Sequence, residues 1–227
     1  MHTFTAQKVS HNSFTQYINQ WQQASFHHLI DAFSQPNQHL VSAFQLSLPD
    51  TLALVNHPET KILTIHMSLI EDKWYPILQG KSSLEDQGLE NTYLPNLVQE
   101  PLALGVNTYL PTVAPNPHII TPTVAQEYVE NWQRAPLSVV MDVFHAPLKT
   151  DGQFYKIERL QYTYFGVEVA QELKAMQPDH LTIFAGKANA TSQNQPFTFR
   201  PIVVATRDDL NMMFDVTVPV PPFKPFD

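Results

Sequence analysis

The sequence predicts an α+β fold built from two copies of one small unit, and three observations support this. A segment that begins at Thr15 is matched by a segment that begins at Gln126. Helical and strand patterns then follow in the same order in both halves, and each half ends in a proline-rich arm. We therefore expect two homologous units packed pseudo-symmetrically, with helices on one face of mostly antiparallel sheets.

The match is strongest at the start of each unit. Residues 15–36 read TQYINQWQQASFHHLIDAFSQP, and residues 126–147 read QEYVENWQRAPLSVVMDVFHAP with no gap. The identical pairs are Tyr17/Tyr128, Trp21/Trp132, Gln22/Gln133, Ala24/Ala135, Asp31/Asp142, Phe33/Phe144 and Pro36/Pro147. Because the chain has only three Trp, two of them in register indicate a duplication rather than chance.

The match continues with small gaps. Residues 63–65 match residues 181–183, and residues 75–78 match residues 200–203. This predicts a first unit over residues 1–80 and a second over residues 122–227, which includes a C-terminal arm. Residues 81–121 are predicted as a linker or insertion followed by the first arm, because residues 81–107 are the longest stretch that the first copy has and the second lacks.

Each unit is predicted to begin with an amphipathic helix, since apolar residues recur at helical spacing. Ser13 is the expected N-cap of the first helix, and Thr121 followed by Pro122 caps the second. The matched aromatic residues are expected in the core; they are Tyr17, Trp21, Phe33, Tyr128, Trp132 and Phe144.

The rest of each unit is predicted as a helical turn, a strand, a second helix and two strands. The helical turns should end before Pro36 and Pro147. Glu71 and Asp72 are expected to form a hairpin turn, and Pro76 and Pro201 suit a strand start or an edge. The arms favour extended paths and are expected as straps across a neighbouring unit, although a free tail is an equal alternative for residues 223–227.

The composition excludes several classes of function. The net charge is −8 and the pI about 5.6, so there is no basic surface for nucleic acid or an anionic membrane. With no Cys, the chain has no disulfides, thiol nucleophiles or Cys-ligated metals. No signal peptide or run of about 18 apolar residues is visible, which favours a cytoplasmic protein.

Motifs for common catalytic sites are missing. The six Gly do not form a nucleophile elbow, a P-loop or a dinucleotide fingerprint. The sequence therefore predicts no cofactor and no catalytic residue by motif.

Candidate site residues remain around the matched carboxylates. His27 and His28 lie four and three residues before Asp31, and Asp142 lies three before His145. The histidines do not align between the copies and no third ligand is evident, so we expect no metal site. A carboxylate buried in an apolar run would have a raised pKa and could act as a general acid or base, whereas one on a helix surface would be structural.

Two functions fit these observations. The first is a non-enzymatic binding or assembly protein that uses the face or groove between the two units for an unknown protein or small molecule. The second is a hydrolase that uses carboxylates and histidines at the interface of the units. Homo-oligomers are possible through the apolar arms.

Overall fold

A computed structural model of the chain shows an α+β protein. It describes residues 7–34, 40–98, 104–105, 107–111, 116, 118–150, 154–189, 198–215 and 218–220. The α-helices are α1 (His11–Gln23), α2 (Phe26–Phe33), α3 (Leu48–Asn56), α4 (Pro122–Gln133), α5 (Val140–Val143) and α6 (Val167–Met176).

All strands pair antiparallel, as predicted. In the first half they are β1 (Gln7–Lys8), β2 (Ala43–Leu46), β3 (Ile62–Ile70), β4 (Lys73–Lys81), β5 (Thr92–Leu94) and β6 (Asn96–Leu97). In the second half they are β7 (His145–Thr150), β8 (Phe154–Arg159), β9 (Tyr162–Phe165), β10 (His180–Phe184), β11 (Ile202–Arg207), β12 (Leu210–Asp215) and β13 (Val218–Val220). A six-stranded sheet has the order β1-β5-β4-β3-β9-β13, a five-stranded sheet has the order β12-β11-β10-β2-β6, and β7 and β8 form a hairpin.

The two large sheets have closely related strand orders. In the first, β3 lies between β4 and β9; in the second, β10 lies between β11 and β2. The pairing registers agree with the sequence match, since Ile65 faces Leu78 as Ile183 faces Val203. The strand before α3 therefore lies in the sheet formed mainly by the second half of the chain, and the strand before α6 lies in the other sheet.

One apolar core joins the two sheets. Alternate residues of β3, β4 and β9 pack with residues of β2, β10, β11 and β12 in a single cluster. Trp21, Phe33, Trp132 and Phe144 are buried in this cluster, and α1 lies along β3. A smaller cluster under α4 includes Val129 and covers the opposite face of β10 and β11.

Local capping explains where the main helices begin. Helix α1 begins three residues earlier than the predicted cap allows, because the Ser10 hydroxyl accepts a hydrogen bond from the Ser13 backbone N–H at 3.2 Å. Thr121 caps α4 as predicted, with Pro122 in the first turn. Helix α2 ends at Phe33, ahead of Pro36, which itself lies outside the described residues.

The hairpin between β3 and β4 has the predicted turn. Glu71 and Asp72 have φ values of 49° and 61°, which are the left-handed values of a two-residue turn whose twist matches its strands. Pro76 lies within β4 rather than at its start, but β5 pairs only with Leu78 and Gln79. Pro76 therefore has no neighbouring strand on its second side and needs no donor there.

Part of the predicted linker forms regular strands instead of an irregular insertion. Residues 92–97 form β5 and β6, which extend one edge of each large sheet. Further along, Tyr109 donates its backbone N–H to the Asn211 carbonyl at 2.9 Å, and Ile120 donates to Met213 at 3.0 Å. This part of the first arm is thus a strap along β12, whereas residues 221–227 of the C-terminal arm lie outside the described residues.

Among the helices that the structure describes, none has both the length and the apolar character needed to cross a bilayer.

Candidate functional site

The predicted carboxylates lie on the surface. Asp31 on α2 and Asp142 on α5 are both exposed, which agrees with a structural position on a helix surface. The Asp31 backbone carbonyl, rather than its carboxylate, accepts a hydrogen bond from Lys73 Nζ at 3.2 Å. Neither carboxylate is desolvated, so the reason for expecting a general acid or base at these positions is absent.

The candidate histidines contact other residues instead of forming one site. His27 is exposed, and His28 Nε2 lies 2.9 Å from Asp72 Oδ1 across the β3–β4 turn. His145 Nε2 accepts a hydrogen bond from Arg159 Nε at 3.0 Å. Among the described residues, no group of three His, Asp or Glu side chains is arranged to hold a metal ion.

Arg159 has a structural role that the sequence did not suggest. Its guanidinium donates to the backbone carbonyls of Trp21 and Ala24, the latter at 2.9 Å. These carbonyls end α1 and have no partner within the helix. Arg159 therefore connects the end of β8 to the C-terminus of α1.

The matched aromatic residues divide into two groups. Trp21, Phe33, Trp132 and Phe144 are fully buried, whereas Tyr17 and Tyr128 are half-buried. These six side chains therefore contribute packing, and the described pockets are formed by other residues.

A shallow pocket of about 410 Å³ lies near Asp31. Trp74, Tyr75, Val41 and Leu97 line it, but its cation, Lys73, already donates to two backbone carbonyls of α2 and the residue after it. The cation of this pocket is therefore already engaged within the fold.

A second pocket, of about 270 Å³, lies on the outer face of the six-stranded sheet. Its floor is formed by His66 on β3 with Gln79 and Lys81 on β4. Helix α1 forms one wall through Phe14, whose ring meets the His66 ring edge to face at 5.0 Å. Residues 84–87, which follow β4, form the opposite wall. We call this cavity the outer pocket.

His66 is fixed by a buried hydrogen-bond network. Gln79 Nε2 donates to the Gln87 carbonyl at 2.6 Å and to Thr92 Oγ1 at 3.0 Å, so Gln79 Oε1 is the atom that faces His66 Nε2 at 3.0 Å. His66 must therefore carry its proton on Nε2. Burial, together with the charge of Lys81, lowers the pKa of His66 to about 3, so the ring is neutral at physiological pH.

Lys81 is a largely buried cation that lines the outer pocket. It is only 7% exposed, and among the described residues its ammonium makes no hydrogen bond or ion pair but lies over the Tyr162 ring, 6.0 Å from the ring centroid. Burial lowers the pKa of Lys81, and the charge of Asp86 partly offsets this. Asp86 itself accepts hydrogen bonds from the Ser82 backbone and hydroxyl and from the Gly88 backbone, which lower its pKa to about 2.

The second half of the chain has apolar residues at the corresponding positions. The strand registers place Phe184 where His66 lies and Val204 where Gln79 lies, and both pack under α4. The sequence contained this signal, because the matched strand segments of the two halves carry polar residues in one half and apolar residues in the other. Residues that the two halves share could not reveal His66, Gln79 and Lys81, since these positions differ between the halves.

Another titratable cluster lies at the end of β12. Burial raises the pKa of the Asp215 carboxyl to about 6, and the nearby Arg200 guanidinium opposes the shift. Asp215 Oδ1 is buried and has no hydrogen-bond partner among the described residues. None of the three described pockets is lined by this cluster.

Comparisons with known proteins found no match: no protein-family model, no curated protein and no solved structure is similar to this chain.

Proposed function

We propose that this is a non-enzymatic binding protein, built from two homologous units, that holds a small polar ligand in the outer pocket. The observation that supports this is the presence of two unused polar groups at one cavity. Neither the Lys81 ammonium nor the Nδ1 lone pair of His66 has a hydrogen-bond partner among the described residues, and the ammonium contacts only the face of the Tyr162 ring, at 6.0 Å. A ligand that forms hydrogen bonds with both groups would therefore bind favourably.

Related contacts in the two halves support the duplication. Trp21 Nε1 donates to the Leu160 carbonyl at 2.7 Å, and Trp132 Nε1 donates to the Val41 carbonyl at 2.9 Å. Leu160 and Val41 each lie two residues before a strand of the other half's sheet, β9 and β2. We interpret this as two copies of one unit that exchange a strand.

Because of this exchange, strands from both units form the proposed binding face. β3 and β4 come from the first unit, while β9 comes from the second and places Tyr162 beside His66, with ring centroids 4.9 Å apart. The proposed site would thus lie on a face shared by the two units. The corresponding face of the second unit is apolar and serves packing alone.

The hydrolase alternative has less support. A general base works best with a pKa near the working pH, and that of His66 is about 3. Asp31 and Asp142 are exposed and lie outside the outer pocket.

The test is a screen of small polar fragments, followed by NMR spectra that report on the side chains of His66 and Lys81. We expect fragments to perturb these signals first. The matched control is the double variant H66F/Q79V, which gives the first unit the residues of the second, Phe184 and Val204. Binding that persists unchanged in this variant, or fragments that perturb only other regions, would contradict the proposal.

A further inference from the structure

The outer pocket also restricts the chemistry of its ligand. Resting on the proposed function, we infer that the ligand is a small hydroxycarboxylic acid, whose carboxylate pairs with Lys81 and whose hydroxyl donates to His66 Nδ1.

Lys81 requires an anion. Burial partly desolvates the Lys81 ammonium, and desolvated charges in proteins are normally paired with an opposite charge. The charge of Asp86 acts on Lys81, but the Asp86 carboxylate accepts hydrogen bonds from Ser82 and Gly88, and the described part of the chain has no ion pair between the two residues. A ligand carboxylate would supply the missing partner through a charge-assisted hydrogen bond.

The Nδ1 atom of His66 requires a hydrogen-bond donor on the ligand. Since Gln79 fixes the proton of His66 on Nε2, Nδ1 has a lone pair and no hydrogen. His66 is one of the residues that line the cavity, and in the described part of the chain Nδ1 has no partner. A ligand hydroxyl can donate to this nitrogen, whereas a carboxylate oxygen would face its lone pair and be repelled.

The opposite wall limits the charge of the ligand. Glu85 and Asp86 both line the cavity, so a multiply charged anion such as phosphate would meet two carboxylates for one ammonium. A simple cation would be repelled by Lys81. A single carboxylate fits this balance, and Phe14 and Leu84 offer apolar surface to a short hydrocarbon chain.

The size of the cavity favours a short molecule. Its volume of about 270 Å³ is slightly below that of typical ligand pockets, which run from about 300 to 1,000 Å³.

The experiment compares four matched probes on the intact protein by calorimetry and NMR: lactate, propionate, lactamide and alanine. Propionate lacks the hydroxyl and lactamide lacks the negative charge. Alanine carries an ammonium group in place of the hydroxyl. We expect lactate to bind best, and each of the others to bind at least about tenfold more weakly, as expected for the loss of a hydrogen bond to a charged or buried group.

Two variants assign the contacts. K81M should remove the preference for lactate over lactamide, and H66F should remove the preference for lactate over propionate. K61M is the control, because Lys61 is exposed and outside the cavity, and it should bind like the native protein. The ranking of the four probes on the native protein tests the inference even where a variant fails to fold.

The outcomes separate this inference from the proposed function. Equal binding of lactate and lactamide, or tighter binding of alanine, at signals of His66 and Lys81 would overturn the hydroxy-acid inference while the binding function stands. If neither the four probes nor the fragment screen perturbs these signals, both are wrong.

Discussion

The ring of Phe33 stacks on the ring of Phe144, with centroids 4.9 Å apart and planes inclined by 23°. Each ring also meets Trp21 and Trp132 edge to face, at centroid distances between 5.3 and 6.1 Å. The backbone repeats this relationship, because the Phe33 carbonyl accepts from Val41 and the Phe144 carbonyl accepts from Leu160, both at 2.9 Å. These four rings join the two halves at the centre of the core.

The stacked pair should therefore be critical for stability. We expect F33A and F144A each to lower the free energy of unfolding by about 3–5 kcal/mol, since both leave a cavity in a fully buried site. In a double-mutant cycle, the two changes should show a coupling of about 0.5–1.5 kcal/mol. Urea unfolding measures these values. F26A is the control, because Phe26 is 46% exposed and should cost far less.

The indole N–H groups of Trp21 and Trp132 should matter in addition to their packing. Replacement by Phe removes a buried donor from the Leu160 or Val41 carbonyl, and we expect each change to cost about 2–4 kcal/mol. W74F provides the comparison, because Trp74 is equally buried but its Nε1 has no partner among the described residues. Guanidinium unfolding of the three variants would contradict this account if W74F were the most destabilised.

Much of the local structure was predictable because local chemistry determines it. The predicted second helix of the second unit coincides with α6, and the Glu71–Asp72 turn and the Thr121 cap are as expected. Ser10 rather than Ser13 caps α1, since both serines precede the same apolar stripe and spacing does not distinguish them.

The sheet to which each of β2 and β9 belongs could not be predicted. Either strand could pair with its own half or with the other, because β3 and β10 present the same alternation to it. The choice depends on tertiary packing, which hydrophobic period does not encode. The candidate site was missed for a related reason: His66 and Gln79 form a site only when β3, β4 and residues 87–92 come together.

His66 should make the protein sensitive to acid. Its pKa is lowered to about 3 in the folded state, from about 6.5 in the unfolded chain, so the unfolded state binds the proton more tightly. The contribution of His66 to the free energy of unfolding is complete above pH 6.5. It is lost as the pH falls towards 3, at up to about 1.4 kcal/mol per pH unit. H66F should reduce this slope. Urea unfolding across this range measures it, and an unchanged slope in H66F would refute the assignment.

Asp215 should have the opposite pH dependence. Its folded pKa is raised to about 6 from 3.8, so the folded state binds the proton more tightly and is favoured at low pH. As the pH rises from about 4 to about 6, the native protein should lose roughly 2–3 kcal/mol relative to D215N, which has no carboxyl to ionise. The comparison requires the difference in unfolding free energy between the two proteins, because His66 titrates over an overlapping range with the reverse sign. If the difference in unfolding free energy between D215N and the native protein stays constant from pH 4 to pH 6, Arg200 compensates completely for the burial of Asp215. A gain near the expected size would identify Asp215 as a buried carboxyl that the fold tolerates at a cost in stability.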